Sequence, residues 1–388
     1  MNNKASITAL MSSFGRAFHT ENEEHPVFRD FLAKELMTAE EYTGVQNYIL
    51  GGVQFFEPEI DPAKQEPKEL LRRLVNVHIA PSPLCRAAYT EKALKTAVLT
   101  GTKQYVILGA GMDTFAFREP EFLSKYRVFE VDHPLTQADK LERITRAGWT
   151  IPDNLTFVPV DFTKDSLRER LIAAGFNPSA KSFFSWLGVT YYLSAEAIDT
   201  MLSALSSICA DGSTLVFDYP DENFFDAPEK RVQNTIMMAK AGSEPMQSVF
   251  SYSELETLLQ KHGFLIYELL TPDDIQRDVI DKAGADMEKS KQFYHDVLGM
   301  EVAANFGANV TLTGGLVLQT LETWQSFIHT SDVTLKSNSG ELYFETEDMD
   351  AFHKHLESFD ILYVHKLHEH PWGQRTEWVS RLILWYQA

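Results

Sequence analysis

Compact apolar runs alternate with longer mixed segments through the middle of this 388-residue chain. The runs predict strands at residues 105–108, 127–131, 155–159, 182–187 and 213–219, and the segments between them predict helices at 135–147, 166–174 and 195–209. Strands that alternate with helices are joined by right-handed crossovers, so they form a parallel sheet covered by helices on both faces. The fold class is therefore α/β, and residues 263–270 are predicted to add a final strand to the same sheet.

A helical region is predicted ahead of the first strand. Its helices are expected at residues 6–18, 28–48, 70–75 and 82–100. Such a region can cap a ligand pocket at the edge of the sheet, or it can serve only as a packing layer. The sequence leaves both interpretations open.

A Gly-x-Gly turn follows the first predicted strand. Gly109, Ala110 and Gly111 end this apolar run, and the next run ends on Asp132, about twenty residues further on. Glycine lets the backbone turn sharply and approach a ligand, because a Cβ would obstruct the approach. An acidic residue at the second strand's end is placed to accept hydrogen bonds from ribose hydroxyls. The pattern predicts a nucleoside cofactor, although a Gly-x-Gly turn by itself can also serve only to close a strand onto a helix.

The residues after the turn indicate which nucleoside fits. A dinucleotide site needs a third small residue at the position of Thr114 and uses the helix N-terminus to hold a pyrophosphate. The carboxylate of Asp113 would repel a pyrophosphate. A cofactor with a zwitterionic tail fits better, and S-adenosylmethionine has one.

Six longer strings in this order resemble the leucine carboxyl methyltransferase family, particularly its bacterial members, over approximately residues 5–280. They are Arg16-Ala-Phe-His-Thr20, Ile107-Leu-Gly-Ala-Gly-Met-Asp-Thr114, Phe129-Glu-Val-Asp-His-Pro134, Val160-Asp-Phe162, Trp186-Leu-Gly-Val-Thr-Tyr-Tyr-Leu193 and Gly242-Ser-Glu-Pro-Met246. The resemblance implies a class I methyltransferase with a Rossmann-like, doubly wound sheet, a helical N-terminal cap and S-adenosyl-L-methionine as cofactor.

The resemblance also implies roles for single residues. Asp132 would bind the ribose, Asp161 would accept from the adenine amino group beside Phe162, and Arg86 would pair with the cofactor's carboxylate. One position departs from the family. Leu187 stands where the eukaryotic members have a glutamate that contacts the cofactor's amino group, so the protein substrate of those members does not carry over.

Three side chains near the strand ends have two interpretations each. Glu130 shares a side of its strand with Asp132 and can support the site, but pairing with a surface cation is preferred. Tyr191 and Tyr192 follow the fourth strand, where an acceptor would be oriented, or they pack as ordinary aromatic residues. Tyr192 is the candidate catalytic residue.

A carboxylate acceptor needs no base and a hydroxyl acceptor does, but no His or Asp stands out as that base. Residues 221–251 are predicted to include a lid.

A second resemblance begins after residue 283. Asp286–Met300, Gly314–Trp324, Glu341–Phe352 and Glu369–Arg375 resemble the vicinal oxygen chelate superfamily of glyoxalase-like and bleomycin-resistance domains. We therefore predict a methyltransferase domain at 1–282 and a smaller, incomplete α+β glyoxalase-like domain at 283–388. The chain's length agrees with two domains.

The second domain is expected to lack a metal site. Gln319 and Glu341 align with two of the superfamily's ligand positions, while the opening ligand and a terminal Glu ligand are missing. His365, His368 and His370 are predicted to lie in a solvated loop, and residues 378–386 alternate in a way that predicts a replacement strand.

Composition restricts the partners and the compartment. Lys and Arg number 35 against 55 Asp and Glu, a formal net charge of −20, which disfavours nucleic acids and anionic membranes. Cys85 and Cys209 are far apart, which argues against a disulfide scaffold or a zinc cluster and suits a reducing cytoplasm. With neither a signal peptide nor a membrane span in the sequence, we expect a soluble cytoplasmic protein.

Two functions remain at this point. The first is an S-adenosylmethionine-dependent O-methyltransferase acting on a carboxylate or hydroxyl of a small molecule, with the second domain as a binding or dimerising appendage. The alternative is ligand binding or metal-dependent lyase-like chemistry in the second domain, with an inactive first domain. The intact cofactor strings favour the first.

Overall fold

The computed structural model describes residues 7–23, 26–162, 164–242, 244–280, 287–305, 309–319, 348–359, 363–369 and 375–379. The chain divides into two compact units, Met1–Ile275 and Gln276–Ala388. In the described residues, no helix is both long and apolar enough to cross a membrane.

A five-stranded parallel sheet forms the centre of the first unit. Its strands are β1 (Gln104–Leu108), β2 (Arg127–Asp132), β3 (Leu155–Pro159), β4 (Ser182–Trp186) and β5 (Thr214–Phe217). They lie in the order β3-β2-β1-β4-β5, and all four neighbouring pairs are parallel. The order reverses between β1 and β4, and ligands of such sheets bind beyond the carboxyl ends of the strands at this point.

Alternate residues of the strands pack on opposite faces of the sheet. In β1, Val106 and Leu108 belong to one buried cluster, while Tyr105 and Ile107 belong to another. Burial of both faces explains the nearly continuous apolar runs that predicted the strands. The helices that follow β1 are α6 (Phe115–Arg118), α7 (Pro120–Leu123), α8 (Pro134–Ala147), α9 (Leu167–Ala173), α10 (Ala195–Ser206), α11 (Lys230–Ala241), α12 (Tyr252–Lys261) and α13 (Pro272–Ile275).

The helical region ahead of the sheet has a core of its own. It contains α1 (Ile7–Asn22), α2 (Ala39–Gly51), α3 (Val53–Phe56), α4 (Pro67–Leu74), a π-helical turn (Val75–Ile79) and α5 (Pro81–Leu99). The helix predicted over 28–48 is wrong in its first half. Residues 31–36 form turns, and α2 begins only after Thr38. The Thr38 side chain accepts from the backbone N–H of Glu41, whose side chain accepts from the N–H of Thr38, and such a capping box starts a new helix.

The strand predicted at 263–270 is also wrong, because residues 264–270 are described and belong to no strand. Phe264 and Ile266 pack against the core, but Leu265 is 84 % exposed and Tyr267 is fully exposed. Alternation therefore indicated a half-buried segment correctly, but the segment does not hydrogen-bond along the edge of β5.

Glu130 corrects a third expectation, because it does not pair with a surface cation. Its side chain is fully buried on β2, and its Oε2 accepts a short hydrogen bond from Nζ of Lys140 on α8, which is 1 % exposed. Gln137, one turn earlier on α8, donates to the backbone carbonyl of Glu130 at 3.0 Å. The pair thus lies inside the molecule, between the sheet and a covering helix.

The second unit contains helices and antiparallel strands. After a π-helical turn (Gln276–Ile280) come α14 (Met287–Leu298), β6 (Val302–Asn305), β7 (Asn309–Leu312), β8 (Val317–Gln319), α15 (Met349–Leu356), β9 (Tyr363–Glu369) and β10 (Arg375–Val379). Strands β6, β7 and β8 form one sheet, and β9 pairs with β10. Tyr294, Val310 and Leu312 form a small buried cluster against the first of these sheets.

The structure tests some of the expectations for the second unit. His365 and His368 lie in β9, so the loop predicted there is wrong, because the segment gains backbone partners on β10. Gln319 ends β8, whereas Glu341 and His370 lie outside the described residues. Of the strand predicted at 378–386, residues 378 and 379 belong to β10 and the remainder is not described.

Candidate active site

The Gly-x-Gly turn forms the floor of a cavity at the carboxyl end of β1. Gly109 and Gly111 have φ values of +71° and +49°, which favour glycine. A Cβ on Gly109 would lie 2.4 Å from Cγ2 of Val189. The N–H groups of Gly109 and Ala110 donate to the carbonyl of Val131 on β2 at 2.8 and 3.1 Å. The turn is therefore fixed against the neighbouring strand.

Asp132 connects this turn to the end of β2. Its Oδ2 accepts from the N–H of Gly111 at 2.5 Å, and its Oδ1 accepts from the N–H of His133 at 2.6 Å. Burial raises the pKa of the Asp132 carboxyl, and these two N–H groups act against the rise. The side chain lines the cavity, and each carboxylate oxygen can accept a further hydrogen bond there.

Asp161 and Phe162 directly follow β3 and line the same cavity. Oδ2 of Asp161 lies 2.5 Å from Nζ of Lys164, and the Asp161 N–H donates to Oδ2 of Asp165 at 2.8 Å. Phe162 packs partly against the core beneath the sheet. The ends of β1, β2 and β3 thus bring together the glycines, Asp132 and Asp161, as the sequence predicted.

Arg86 approaches from α5 and lies against the end of β4. Its Nη1 lies 3.1 Å from the hydroxyl of Tyr191 and 3.4 Å from Oδ2 of Asp218. A Cβ on Gly188, where φ is +72°, would lie 2.6 Å from the guanidinium nitrogens. Oδ1 of Asp218 accepts from the N–H of Gly188 at 2.7 Å. Asp218 therefore orients Arg86 and the backbone at Gly188. Sequence reasoning missed Asp218, although an acidic residue directly after β5 was a visible signal.

The helical region is joined to the glycine turn by buried polar contacts. Arg16 on α1 donates to the carbonyl of Met112 at 2.7 Å and to Oδ2 of Asp30 at 2.8 Å. Oδ1 of Asp30 accepts from the hydroxyl of Thr114 at 2.7 Å. Burial would raise the pKa of Asp30, but Arg16 and Arg118 hold it below its usual value. The region lines the cavity in addition to packing, so it does more than cover the sheet.

The cavity has a volume of about 920 Å³, near the upper end of the usual range for small-molecule sites. Its lining includes the residues at the ends of β1, β2 and β3. It also includes Thr8 and Met11 of α1, His78 and Ile79 of the π-helical turn, Tyr191, Tyr192, and Met238, Glu244 and Met246 from the region of α11. We call this second group the acceptor wall.

Tyr191 and Tyr192 lie in a single 3-10 turn after β4, with ring centroids 4.6 Å apart. Burial raises the pKa of both phenols, so both keep their protons at neutral pH. The backbone N–H and side-chain amide of Gln247 donate to the carbonyls of Tyr191 and Tyr192, each at 2.7 Å. These bonds fix the segment after α11 to the tyrosine turn.

The sheet order, the glycine turn and the acidic strand ends define an S-adenosylmethionine-dependent methyltransferase of class I. The leucine carboxyl methyltransferase profile matches residues 9–206, about half of the chain, and a glyoxalase-like domain profile matches residues 280–381. The chain belongs to the leucine carboxyl methyltransferase family and carries a glyoxalase-like domain at its C-terminal end. Both resemblances inferred from the sequence are confirmed, and the cofactor is S-adenosyl-L-methionine.

The chain is also similar to bacterial proteins named for S-adenosyl-L-methionine-dependent methyl transfer. YktD of Bacillus subtilis (strain 168), named as a candidate S-adenosyl-L-methionine-dependent methyltransferase, is 44 % identical over 276 residues, 70 % of this chain and 90 % of the relative. A similarly named protein of Mycolicibacterium paratuberculosis (strain ATCC BAA-968 / K-10) is 27 % identical over 286 residues, 70 % of this chain and 85 % of that relative. The crystal structure of a candidate methyltransferase from Thermobifida fusca YX shows a weak likeness, with a TM-score of 0.39 at 13 % identity over 70 % of this chain and 90 % of that one.

Proposed function

We propose that this enzyme transfers a methyl group to an oxygen atom of a small molecule. The observation that carries the proposal is the single cavity that reaches from the glycine turn to the acceptor wall. S-adenosyl-L-methionine supplies an electrophilic methyl group on a sulfonium. A cavity with room beside the nucleoside end lets an acceptor be held in line with that methyl group while water is excluded.

We propose the following roles for the residues at the ends of the strands. Gly109, Ala110 and Gly111 let the backbone approach the nucleoside, and Asp132 accepts from its ribose hydroxyls. Asp161 accepts from the adenine amino group, and Phe162 borders the ring. The fixed position of Arg86 against Gly188 supports a role in pairing with the cofactor's carboxylate. Tyr192 lies on the acceptor wall, where its neutral phenol can orient the acceptor.

Methyl transfer can be tested without knowing the acceptor. The purified full-length enzyme would be incubated with methyl-tritiated S-adenosyl-L-methionine and a small-molecule extract of bacterial cells, and labelled products would be identified by mass spectrometry. We expect products with the methyl group on oxygen. Transfer only to nitrogen, carbon or sulfur would contradict the proposal, and so would the absence of labelled product while the enzyme still binds S-adenosylhomocysteine.

Replacement of Arg86 by lysine should weaken the binding of S-adenosylhomocysteine by about tenfold or more, because lysine keeps the charge but loses the planar two-point contact. Isothermal titration calorimetry would measure the change. The control ligand is 5′-methylthioadenosine, which lacks the carboxylate and should bind both proteins equally. An equal loss for the two ligands would instead indicate that Arg86 serves only to support the fold around Gly188.

For the second unit we propose an appendage that binds a small molecule or dimerises the chain and that holds no metal. The absence of a metal is proposed from the sequence, in which Gln319 and Glu341 align with two ligand positions while the opening ligand and the terminal Glu ligand are missing. Methyl transfer should persist in the presence of a chelator, and elemental analysis after dialysis should find no stoichiometric metal. A tightly held metal whose removal stops the transfer would overturn this part of the proposal.

A further inference from the structure

One carboxylate on the acceptor wall has no cation beside it. Oε2 of Glu244 accepts from the hydroxyl of Thr8 on α1 at 2.5 Å, and Thr8 is also a hydrogen-bond partner of Tyr192. Among the described residues, no Lys, Arg or His nitrogen lies within 4.0 Å of Glu244 and no second donor reaches its carboxylate. The carboxylate therefore keeps acceptor capacity at a wall of the cavity.

The arginines that line the cavity already have carboxylate partners. Arg16 pairs with Asp30 and Arg118 pairs with Glu91, while Arg86 lies 3.4 Å from Asp218 and is assigned above to the cofactor's carboxylate. A carboxylate acceptor placed against the acceptor wall would face Glu244. It would need a cation to neutralise its charge, and none of these arginines is available for that. Two carboxylates at close range repel each other. The charges of this wall thus favour an acceptor that carries a proton on the reacting oxygen.

The other ionisable groups of the acceptor wall are poor proton acceptors. Burial raises the pKa of the Tyr191 and Tyr192 phenols, so they are already protonated. Burial lowers the pKa of His78, which makes its imidazole a weaker base than usual. In addition, both ring nitrogens are buried without a hydrogen-bond partner, and Nε2 faces Glu57 at 3.5 Å. Glu244 remains as the carboxylate of this wall that an acceptor in the cavity can reach.

We propose that Glu244 is the proton acceptor of the reaction and that the substrate is therefore a hydroxyl compound, an alcohol or phenol, rather than a carboxylic acid. The inference rests on the proposed O-methyltransferase function. The hydroxyl oxygen forms a bond to the methyl carbon, the carbon–sulfur bond breaks with its electron pair passing to sulfur, and the hydroxyl proton passes to Glu244. The positive charge of the sulfonium and the negative charge of the carboxylate are both neutralised, so the step balances.

The position of Glu244 is defined by contacts on both sides. Thr8 holds its carboxylate, and three residues further on the chain is fixed to the tyrosine turn through Gln247. The Ser248 hydroxyl then donates to the carbonyl of Leu193. A base held in this way keeps its place when an acceptor enters, which is what efficient proton transfer requires.

The test uses the full-length enzyme and the tritiated methyl donor with the same bacterial extract. Labelled products would be treated with alkali, which releases methanol from methyl esters but leaves methyl ethers intact. We expect alkali-stable, oxygen-linked label from the wild-type enzyme and a loss of about 100-fold or more in E244Q. E244D, which keeps the carboxylate, should retain more activity than E244Q. E229Q, at the exposed start of α11, is the matched control and should behave as wild type.

Titration with S-adenosylhomocysteine separates a loss of base from a loss of fold, since E244Q should bind it as wild type does. Label that alkali releases as methanol, or full activity in E244Q, would overturn the role of Glu244 and leave the O-methyltransferase function standing. Label on nitrogen, or no label despite binding of S-adenosylhomocysteine, would overturn both. Weakened binding in both E244Q and E244D would make Glu244 a structural residue and also overturn the inference.

Discussion

Replacement of Lys140 by methionine should lower the free energy of unfolding by about 3–5 kcal/mol, the largest stability effect that we expect in this chain. The substitution keeps the approximate length of the side chain but leaves the Glu130 carboxylate buried without its cation. Even in the presence of Lys140, burial raises the pKa of Glu130 to about 7. Denaturant unfolding of the full chain, followed by circular dichroism, would measure the loss.

The pH dependence of the stability of Lys140→Met tests whether the loss comes from the buried Glu130 carboxylate. In Lys140→Met the folded-state pKa of Glu130 should lie above about 7, while the unfolded carboxyl keeps its ordinary value near 4.5. Between these values only the folded state binds the proton, so the variant should regain stability as the pH falls and lose it as the pH rises. The double variant Lys140→Met/Glu130→Leu should recover much of the loss, because it no longer buries a charge. A loss below about 1 kcal/mol that does not change with pH would contradict this account of the pair.

Replacement of Asp132 by alanine should weaken the binding of S-adenosylhomocysteine by about 1.5–3 kcal/mol, or roughly 10- to 150-fold. The variant loses the acceptor that we propose for the ribose hydroxyls, and it also frees the Gly111 N–H that Oδ2 holds in place. Calorimetric titration would measure the affinity, and the melting temperature without ligand would show that the fold is kept.

Two variants separate these causes. Asp132→Asn keeps one side-chain oxygen for the Gly111 N–H, so it should bind better than Asp132→Ala. Asp153→Ala removes an exposed carboxylate that does not line the cavity and should change nothing. Equal affinities for wild type and Asp132→Ala would exclude this turn as the ribose site.

The placement of the residues proposed for the cofactor could be predicted because their signals are local. Gly109 and Gly111 show the turn directly, and Asp132 and Asp161 each stand at the end of an apolar run. In a parallel sheet the ends of neighbouring strands meet at one edge, so the spacing along the chain was enough to bring these residues together.

The acceptor side could not be predicted in the same way. Glu244 meets Thr8 across more than half of the methyltransferase domain, and no local pattern relates the two positions. The Glu130–Lys140 pair was missed for a related reason, since burial of a charged residue depends on the helix that covers it rather than on its own strand. Residues 264–270 show a different limit of sequence-based prediction. Their apolar alternation indicates which side chains are buried, but it does not indicate whether the backbone pairs with another strand.

Helix α1 holds residues of both halves of the cavity. Arg16 binds the carbonyl of Met112 beside the glycine turn, and Thr8, about two turns earlier or roughly 12 Å away along the helix, binds Glu244. A shift of α1 that tightens one contact therefore also changes the other. Thermodynamic linkage requires that any factor the methyl donor contributes to the affinity for the proposed acceptor is returned by the acceptor to the donor, and α1 is the element through which such a coupling would pass.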